Sequence, residues 1–469
     1  MSYKYIHSWM VLLASMLLAS PALSAITLNE AKEMYQAGDF EGALPVFLEE
    51  IKKKPKDASL NQWLGVCLMQ AGRTEEAIPR LKFAQTKGVT EASRYLAEIA
   101  FQEYDFEGAE KYIDQYETAL KRARKSMPDE ISDLRRRVLL AENMLERVEK
   151  IVIIDSIAVD RDDFFKAYKL SPGSGSISSP DILPEGFEHA DPTAVAMPET
   201  QTMMFWAAPS EDDEYCIVES NKLFDGSWEK PAALDETINI EGDNNFPFLM
   251  ADGVTLYYAN NGEGSIGGYD IFISRKEDNS YLQPQNIGMP YNSPYDDYLL
   301  AIDEVTGVGW WATDRNGLGD MITIYKFIPS DLRQNYDSDD EDLTDKARIT
   351  DYRSTWESGK NYADLLKKID KINLDKKTDR SEFEFALPGG RVYTRMSDFR
   401  SSRARAMMED YMATVNSLKA DEASLARLRQ KYRNGDRSAT EAIKNLELKI
   451  ENDRKALKTK ANEIISQEN

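Results

Sequence analysis

The sequence predicts a multidomain α + β chain: a stack of helix pairs, a central antiparallel β domain made of repeated units, and a C-terminal helical hairpin. Three periodicities carry this expectation. Small and apolar residues recur at intervals of 34 between residue 27 and about residue 119. Aromatic triplets recur in the middle of the chain at intervals of 52 and 53. Near the C-terminus, two apolar seams at three–four spacing flank a turn signal. The expected divisions are a targeting segment at 1–25, helices at 26–150, sheets at 151–330 and an acidic linker at 331–345. A helix plus a β-hairpin packed on the sheets follows at 346–400, and the helical hairpin at 401–469.

A chain of 469 residues has room for several full-sized cores. It holds 81 acidic and 58 basic residues, a net charge of −23. A nucleic-acid partner calls for a basic footprint, and an anionic membrane surface repels a chain this acidic. Neither is expected as a partner. Lys4, the apolar stretch Trp9 to Ala19 and the small residues Ala22-Leu23-Ser24-Ala25 read as an export signal with its cleavage site. No later stretch approaches the ~20 apolar residues of a membrane span. No cysteine follows the apolar region, so nothing marks a lipoprotein. Cys67, in the apolar run Leu64 to Met69, reads as a buried free thiol.

Thr27-Leu28-Asn29-Glu30 is a capping-box pattern that should open the first helix. Gly38, Asp39, Phe40, Ala43, Phe47 and Pro55 then recur in part as Gly72, Ala77 and Leu81. Gly38 to Gly72 and Ala43 to Ala77 are each 34 residues apart. A third copy carries Asp105, Phe106, Ala109 and Ile113, with Tyr104 where the first two have glycine, so its turn is left open. Small residues let paired helices approach, large ones fill the space between pairs, and Pro55 stops a helix. Ile131, Leu134, Val138, Leu139, Met144, Leu145 and Val148 predict an amphipathic helix that caps the stack.

This pattern, with Leu64-Gly65 at the close-packing point of the second copy, resembles the tetratricopeptide repeat. The resemblance implies an α-solenoid with a concave groove lined by the first helix of each repeat. The implied partner-binding positions are Lys32, Tyr35 and Gln36; Gln62, Met69 and Gln70; and Arg94, Glu98, Phe101 and Gln102. Their mixed polar and aromatic character suits a peptide or protein segment. Packing between repeats is the competing reading for Tyr35, Met69 and Phe101.

In the middle of the chain, Phe205-Trp206-Ala207, Tyr257-Tyr258-Ala259 and Trp310-Trp311-Ala312 mark one unit three times. Ser227-Trp228 to Pro231 and Ser280-Tyr281 to Pro284 repeat at 53. Asp252-Gly253, Asn261-Gly262 and Gly267-Gly268 supply turns between short strands. The stretch from Asn244 to Gly317 resembles the WD-repeat-like propeller repeats of Gram-negative envelope proteins, the TolB-like and OmpA-associated kind. The matching residues are Phe246-Pro247, Asp252-Gly253, Tyr257 to Ala259, Gly267 to Ile271 and Asp314 to Gly317. The resemblance implies blades at about 191–234, 244–288 and 296–327, the third without its last strand. Ile151–Val159 and Glu382–Tyr393, the latter turning at Gly389-Gly390, are the expected sources of missing strands. Ser171 to Pro180 reads as loop.

The acidic run Asp337 to Asp342 reads as a solvated linker, and a helix is expected from about Lys346 to Lys371. Met408, Tyr411, Val415, Leu418, Leu425, Leu428 and Tyr432 form one seam. Ile443, Leu446, Ile450, Leu457 and Ile464 form the other, with Asn434-Gly435-Asp436 between them. They predict an antiparallel hairpin that pairs with itself or offers its seam to a partner.

No catalytic constellation is visible. After the signal the chain has one histidine, His189, and neither a Gly-x-Ser-x-Gly nor a phosphate-binding loop. Asn261 to Gly268 is glycine-rich but joins two strands, so it offers phosphates no helix N-terminus. Asp314 to Asp320 lacks calcium-ligand oxygens at Leu318 and Tyr325. Asp212-Asp213 and Asp296-Asp297 reflect the acidic composition. The expectation is a non-enzymatic scaffold without cofactor or metal, binding protein partners in the periplasm or at the outer-membrane periphery. The alternative is a glycan-binding or glycan-processing propeller with Trp206, Trp310 and Trp311 at its mouth.

Overall fold

The computed structural model describes residues 26–468 apart from 224–225, 279, 318, 320, 331, 357–358, 377–384, 388–390, 394, 434–436 and 438–439. The segment read as an export signal and the turns expected at Gly389-Gly390 and Asn434–Asp436 therefore lie outside the described residues. The chain divides into two compact units. One holds the helix pairs and the three larger sheets; the other comprises residues 221–229 and 361–469.

The first unit opens with seven helices: α1 (Leu28–Gln36), α2 (Phe40–Lys53), α3 (Ala58–Gln70), α4 (Thr74–Thr86), α5 (Glu91–Gln102), α6 (Phe106–Arg122) and α7 (Asp129–Leu145). The capping box forms as expected: the Glu30 amide donates to Thr27 Oγ1 and the Thr27 amide to the Glu30 carboxylate. Gly38 and Gly72 turn the first two pairs at φ 84° and 70°. Gly65 is the close-packing point, since a Cβ there would lie 2.7 Å from Leu81 Cγ. Cys67 is a buried free thiol, which pushes its pKa up to about 12.

Three antiparallel sheets follow. The strands are β1 (Val152–Asp160), β2 (Ser176–Ser178), β3 (Val195–Met197), β4 (Met203–Pro209), β5 (Tyr215–Asn221), β6 (Ala232–Ala233) and β7 (Asn244–Leu249). After them come β8 (Thr255–Asn260), β9 (Asp270–Glu277), β10 (Ser280–Tyr281), β11 (Gln285–Asn286), β12 (Asp297–Asp303), β13 (Val308–Thr313) and β14 (Met321–Ile328). The sheet orders are β2-β3-β4-β5-β6, β7-β8-β9-β10 with β11 also on β9, and β12-β13-β14-β1. The third unit thus takes its fourth strand from far upstream, with Ser156 opposite Tyr325.

β7 and β12 both break register, at Asn245/Phe248 and Tyr298/Ala301. Phe246 and Leu299, at equivalent places in the repeat, take positive φ there. The bulges face the segment after β1. Phe164 packs on Phe246 and Tyr298, and the Tyr168 hydroxyl donates to the Leu299 carbonyl at 2.7 Å.

Two expectations are corrected in this unit. The loop expected at Ser171–Pro180 contains β2, which pairs with β3. Gly175 makes this approach possible: its φ is 89°, and a Cβ would lie 2.2 Å from the Met197 carbonyl oxygen. The helix expected from Lys346 to Lys371 is interrupted. α8 (Leu343–Arg348) ends at Ile349, which has left-handed φ and ψ, and α9 (Ala363–Lys376) begins anew in the second unit.

In the second unit, β15 (Phe385–Leu387) and β16 (Arg391–Tyr393) pair with each other. The expectation that they complete the larger sheets is not met among the described residues. Phe385 and Tyr393 pack instead with Phe399, Ala404, Met408 and Ile464 at one end of the hairpin formed by α10 (Ser402–Arg433) and α11 (Thr440–Glu468). The Glu468 carboxylate accepts from the amides of Arg400 and Ser401 and from the Tyr393 hydroxyl, which lowers its pKa. Along the seams Leu425, Ile450 and Ile464 are buried, while Val415, Leu418, Ile443, Leu446 and Leu457 are half-buried.

Candidate functional site

The first helices α1, α3 and α5 each end on a glutamine (Gln36, Gln70 and Gln102), and all three are exposed. Behind this row, Lys32 holds its amine 4.9 Å from the Trp63 ring centroid. The Gln62 amide donates to the Tyr35 hydroxyl at 2.9 Å. That hydroxyl also meets the one on Tyr95, and burial raises both phenols. Arg94 donates to Glu98 at 3.2 Å. Burial still raises Glu98, against the pull of Arg94 and Arg137. The result is a polar strip across three helices: amides at the ends, one cation at the α1 side and an internally neutralised pair on α5.

Two expected binding positions are corrected. Phe101 is only 2 % exposed and belongs to the core shared by α5, α6 and α7. Gln62 is 6 % exposed and spends its amide on Tyr35, so it braces the strip from within. Tyr35 and Met69 are half-buried against the core of the first two repeats. Lys32, Gln36, Gln70, Arg94, Glu98 and Gln102 remain accessible in whole or part.

Sequence reading missed Trp63, Tyr95 and Arg137. Fixed offsets along each helix select one stripe and overlook neighbours that lean across it. Arg137 belongs to the capping helix, outside the periodic stretch. Its signal was the run Arg135-Arg136-Arg137, unusual in so acidic a chain.

The strip is held by a seam with the sheets. Ile266 and Met289 are buried in the same core as Phe101, Tyr104, Leu134 and Val138. Tyr104 explains the irregular third copy. It adopts the left-handed turn conformation (φ 59°) that glycine takes in the other two, and its ring is 5 % exposed. The Arg348 guanidinium lies 5.8 Å from that ring and pairs with Glu103 at 2.8 Å.

The other candidate groups are built into the fold. Trp206, Trp310 and Trp311 are all 0 % exposed, which corrects their expected place at a sugar-binding mouth. Asp243 and Asp296 accept the amides of Tyr215 and Tyr269, and Asp314 accepts that of Asp296. Asp297 pairs with buried Arg315 at 2.6 Å. His189 is exposed on a loop. Among the described residues no group of three or more His, Cys, Asp or Glu is placed to hold a metal. No described helix is long and apolar enough to cross a membrane. An open cleft of about 700 Å³ between α4, α5 and α6 is lined by Gln85, Ser93, Lys111 and Gln115, with none of the strip residues.

Residues 28–82 match the family model described as tetratricopeptide repeat. The match runs from α1 into α4. No curated protein and no solved structure matches the chain.

Proposed function

We propose that the protein is a non-enzymatic adaptor whose concave strip holds an extended segment of a protein partner. Tetratricopeptide-repeat domains generally mediate protein–protein interactions, and the matched residues carry α1 and α3 of the strip. The observation that carries the reading is the row of exposed Gln36, Gln70 and Gln102 at the ends of three stacked helices. Amides both donate and accept, so a row of them suits the main chain of an extended segment. We read the three sheets as propeller blades, the third completed by β1, and the protein as exported to the periplasm or outer-membrane periphery. Sequence patterning and the export-like N-terminal segment support those two parts.

The test is affinity capture from a membrane-enriched envelope fraction, using the full chain and a Gln70→Ala/Arg94→Ala double variant. A specific partner retained by the first and lost by the second is expected. Equal recovery by both, or no protein partner at all, would overturn the reading.

A further inference from the structure

The strip does not stop at α5. On α7, the Arg137 guanidinium lies 5.3 Å from the Phe101 ring centroid and its charge acts on Glu98. The same guanidinium donates to the Ile266 carbonyl at 3.4 Å, and Arg136 donates to the carbonyls of Glu263 and Ser265. Asp133 holds both guanidiniums, at 2.6 and 2.9 Å. The loop between β8 and β9 therefore abuts the end of the strip. It begins Asn261-Gly262-Glu263-Gly264, the glycine-rich stretch that sequence alone reads as a turn.

This loop is held from beneath. The Gly262 amide donates to Asn260 Oδ1 at 2.8 Å, and a Cβ on Gly262 would lie 2.1 Å from the Glu241 carbonyl oxygen. Glu263 is exposed. Arg136 meets its backbone carbonyl, and no ion pair to its carboxylate is formed among the described residues. From end to end the charges are therefore Lys32, the Arg94–Glu98 pair, the guanidiniums of Arg136 and Arg137 shared by Asp133 and committed to loop carbonyls, and last the exposed carboxylate of Glu263.

We propose that the partner segment runs the full strip and finishes on this loop, with a basic side chain against Glu263 and an acidic one toward Lys32. This rests on the docking reading above and adds its length, direction and charge. Neighbouring helices stand about 10 Å apart, so α1 to α7 spans about 30 Å. At ~3.3 Å per residue an extended segment of about ten residues covers that distance.

The test is selection of displayed random segments of about 12 residues on the full chain, followed by anisotropy with the enriched sequences. Enrichment of Lys or Arg toward one end is expected. Glu263→Lys should weaken binding roughly tenfold, with a loss that shrinks at high salt. Unaltered binding to Glu263→Lys, alongside weakened binding to Gln70→Ala, would sink this extension and leave the docking reading standing. Failure to enrich any segment would sink both. Unchanged unfolding of Glu263→Lys checks that the loop is intact.

Discussion

Replacing Tyr104 with glycine separates two accounts of the third repeat. If residue 104 serves only the turn, as Gly38 and Gly72 do, glycine should stabilise: a non-glycine residue at φ 59° gives up about 1–2 kcal/mol. If the ring fastens the helix array to the sheets, glycine deletes a side chain that is 5 % exposed and shares a core with Ile266 and Met289. Losing a buried aromatic ring costs about 3–5 kcal/mol, and glycine adds ~0.5–1 kcal/mol of unfolded-chain entropy. The balance is a net loss of about 1.5–5 kcal/mol. Tyr104→Phe keeps the ring and gives up only the contact of its buried hydroxyl with Ser293, so it should cost no more than about 1 kcal/mol. Urea unfolding followed by tryptophan fluorescence reads this directly, because Trp206, Trp310 and Trp311 lie in the sheets of the same compact unit. A Tyr104→Gly midpoint at or above wild type would refute the fastening role.

Further outcomes follow from other contacts. Gly65→Ala puts a Cβ 2.7 Å from Leu81 Cγ and should cost about 1–3 kcal/mol in the same assay; no change would mean that α3 and α4 are not packed this closely. Burial pushes Asp270 from 3.8 up to about 7, despite the amides of Ile266, Gly267 and Asn286 that donate to it. Its folded pKa is raised, so its contribution is complete below the unfolded value and is lost as pH rises toward 7. The Asp270 contribution should fall by about 1 kcal/mol per pH unit between pH ~5 and ~7, and Asp270→Asn should remove that part of the slope. An equal slope in both proteins would contradict the assignment. Met408→Ala, in the core of the second unit, should cost about 2–5 kcal/mol and move only one of two calorimetric transitions. Movement of both would show that the units unfold together.

Much of the helix array was legible because its cause is local. A capping box, turn glycines and small residues at 34-residue spacing each act through near neighbours, and the structure places Thr27, Gly38, Gly65 and Gly72 accordingly. Tyr104 broke the pattern for a reason that no local rule contains, namely an apolar seam with residues more than 150 positions away. The aromatic triplets located β4, β8 and β13, yet not the left-handed Phe246 and Leu299, because a bulge leaves no composition signal when glycine is absent. Trp310 and Trp311 are neighbours on β13 and point to opposite faces of its sheet. Both are buried because each face of the sheet is covered, Trp310 by Tyr168 and Trp311 by Tyr291 and Phe327. For Phe101 the packing reading is the one the structure favours: it is buried and Arg137 on α7 covers it, a contact outside the 34-residue pattern.

The most direct measurement of the docking account is amide hydrogen exchange of the full chain, with and without a saturating selected segment. Added protection should concentrate at α1, α3, α5 and the loop 261–264, and it should vanish in Gln70→Ala/Arg94→Ala. Protection confined to the sheets or to the hairpin of α10 and α11, with those helices unchanged, would contradict it.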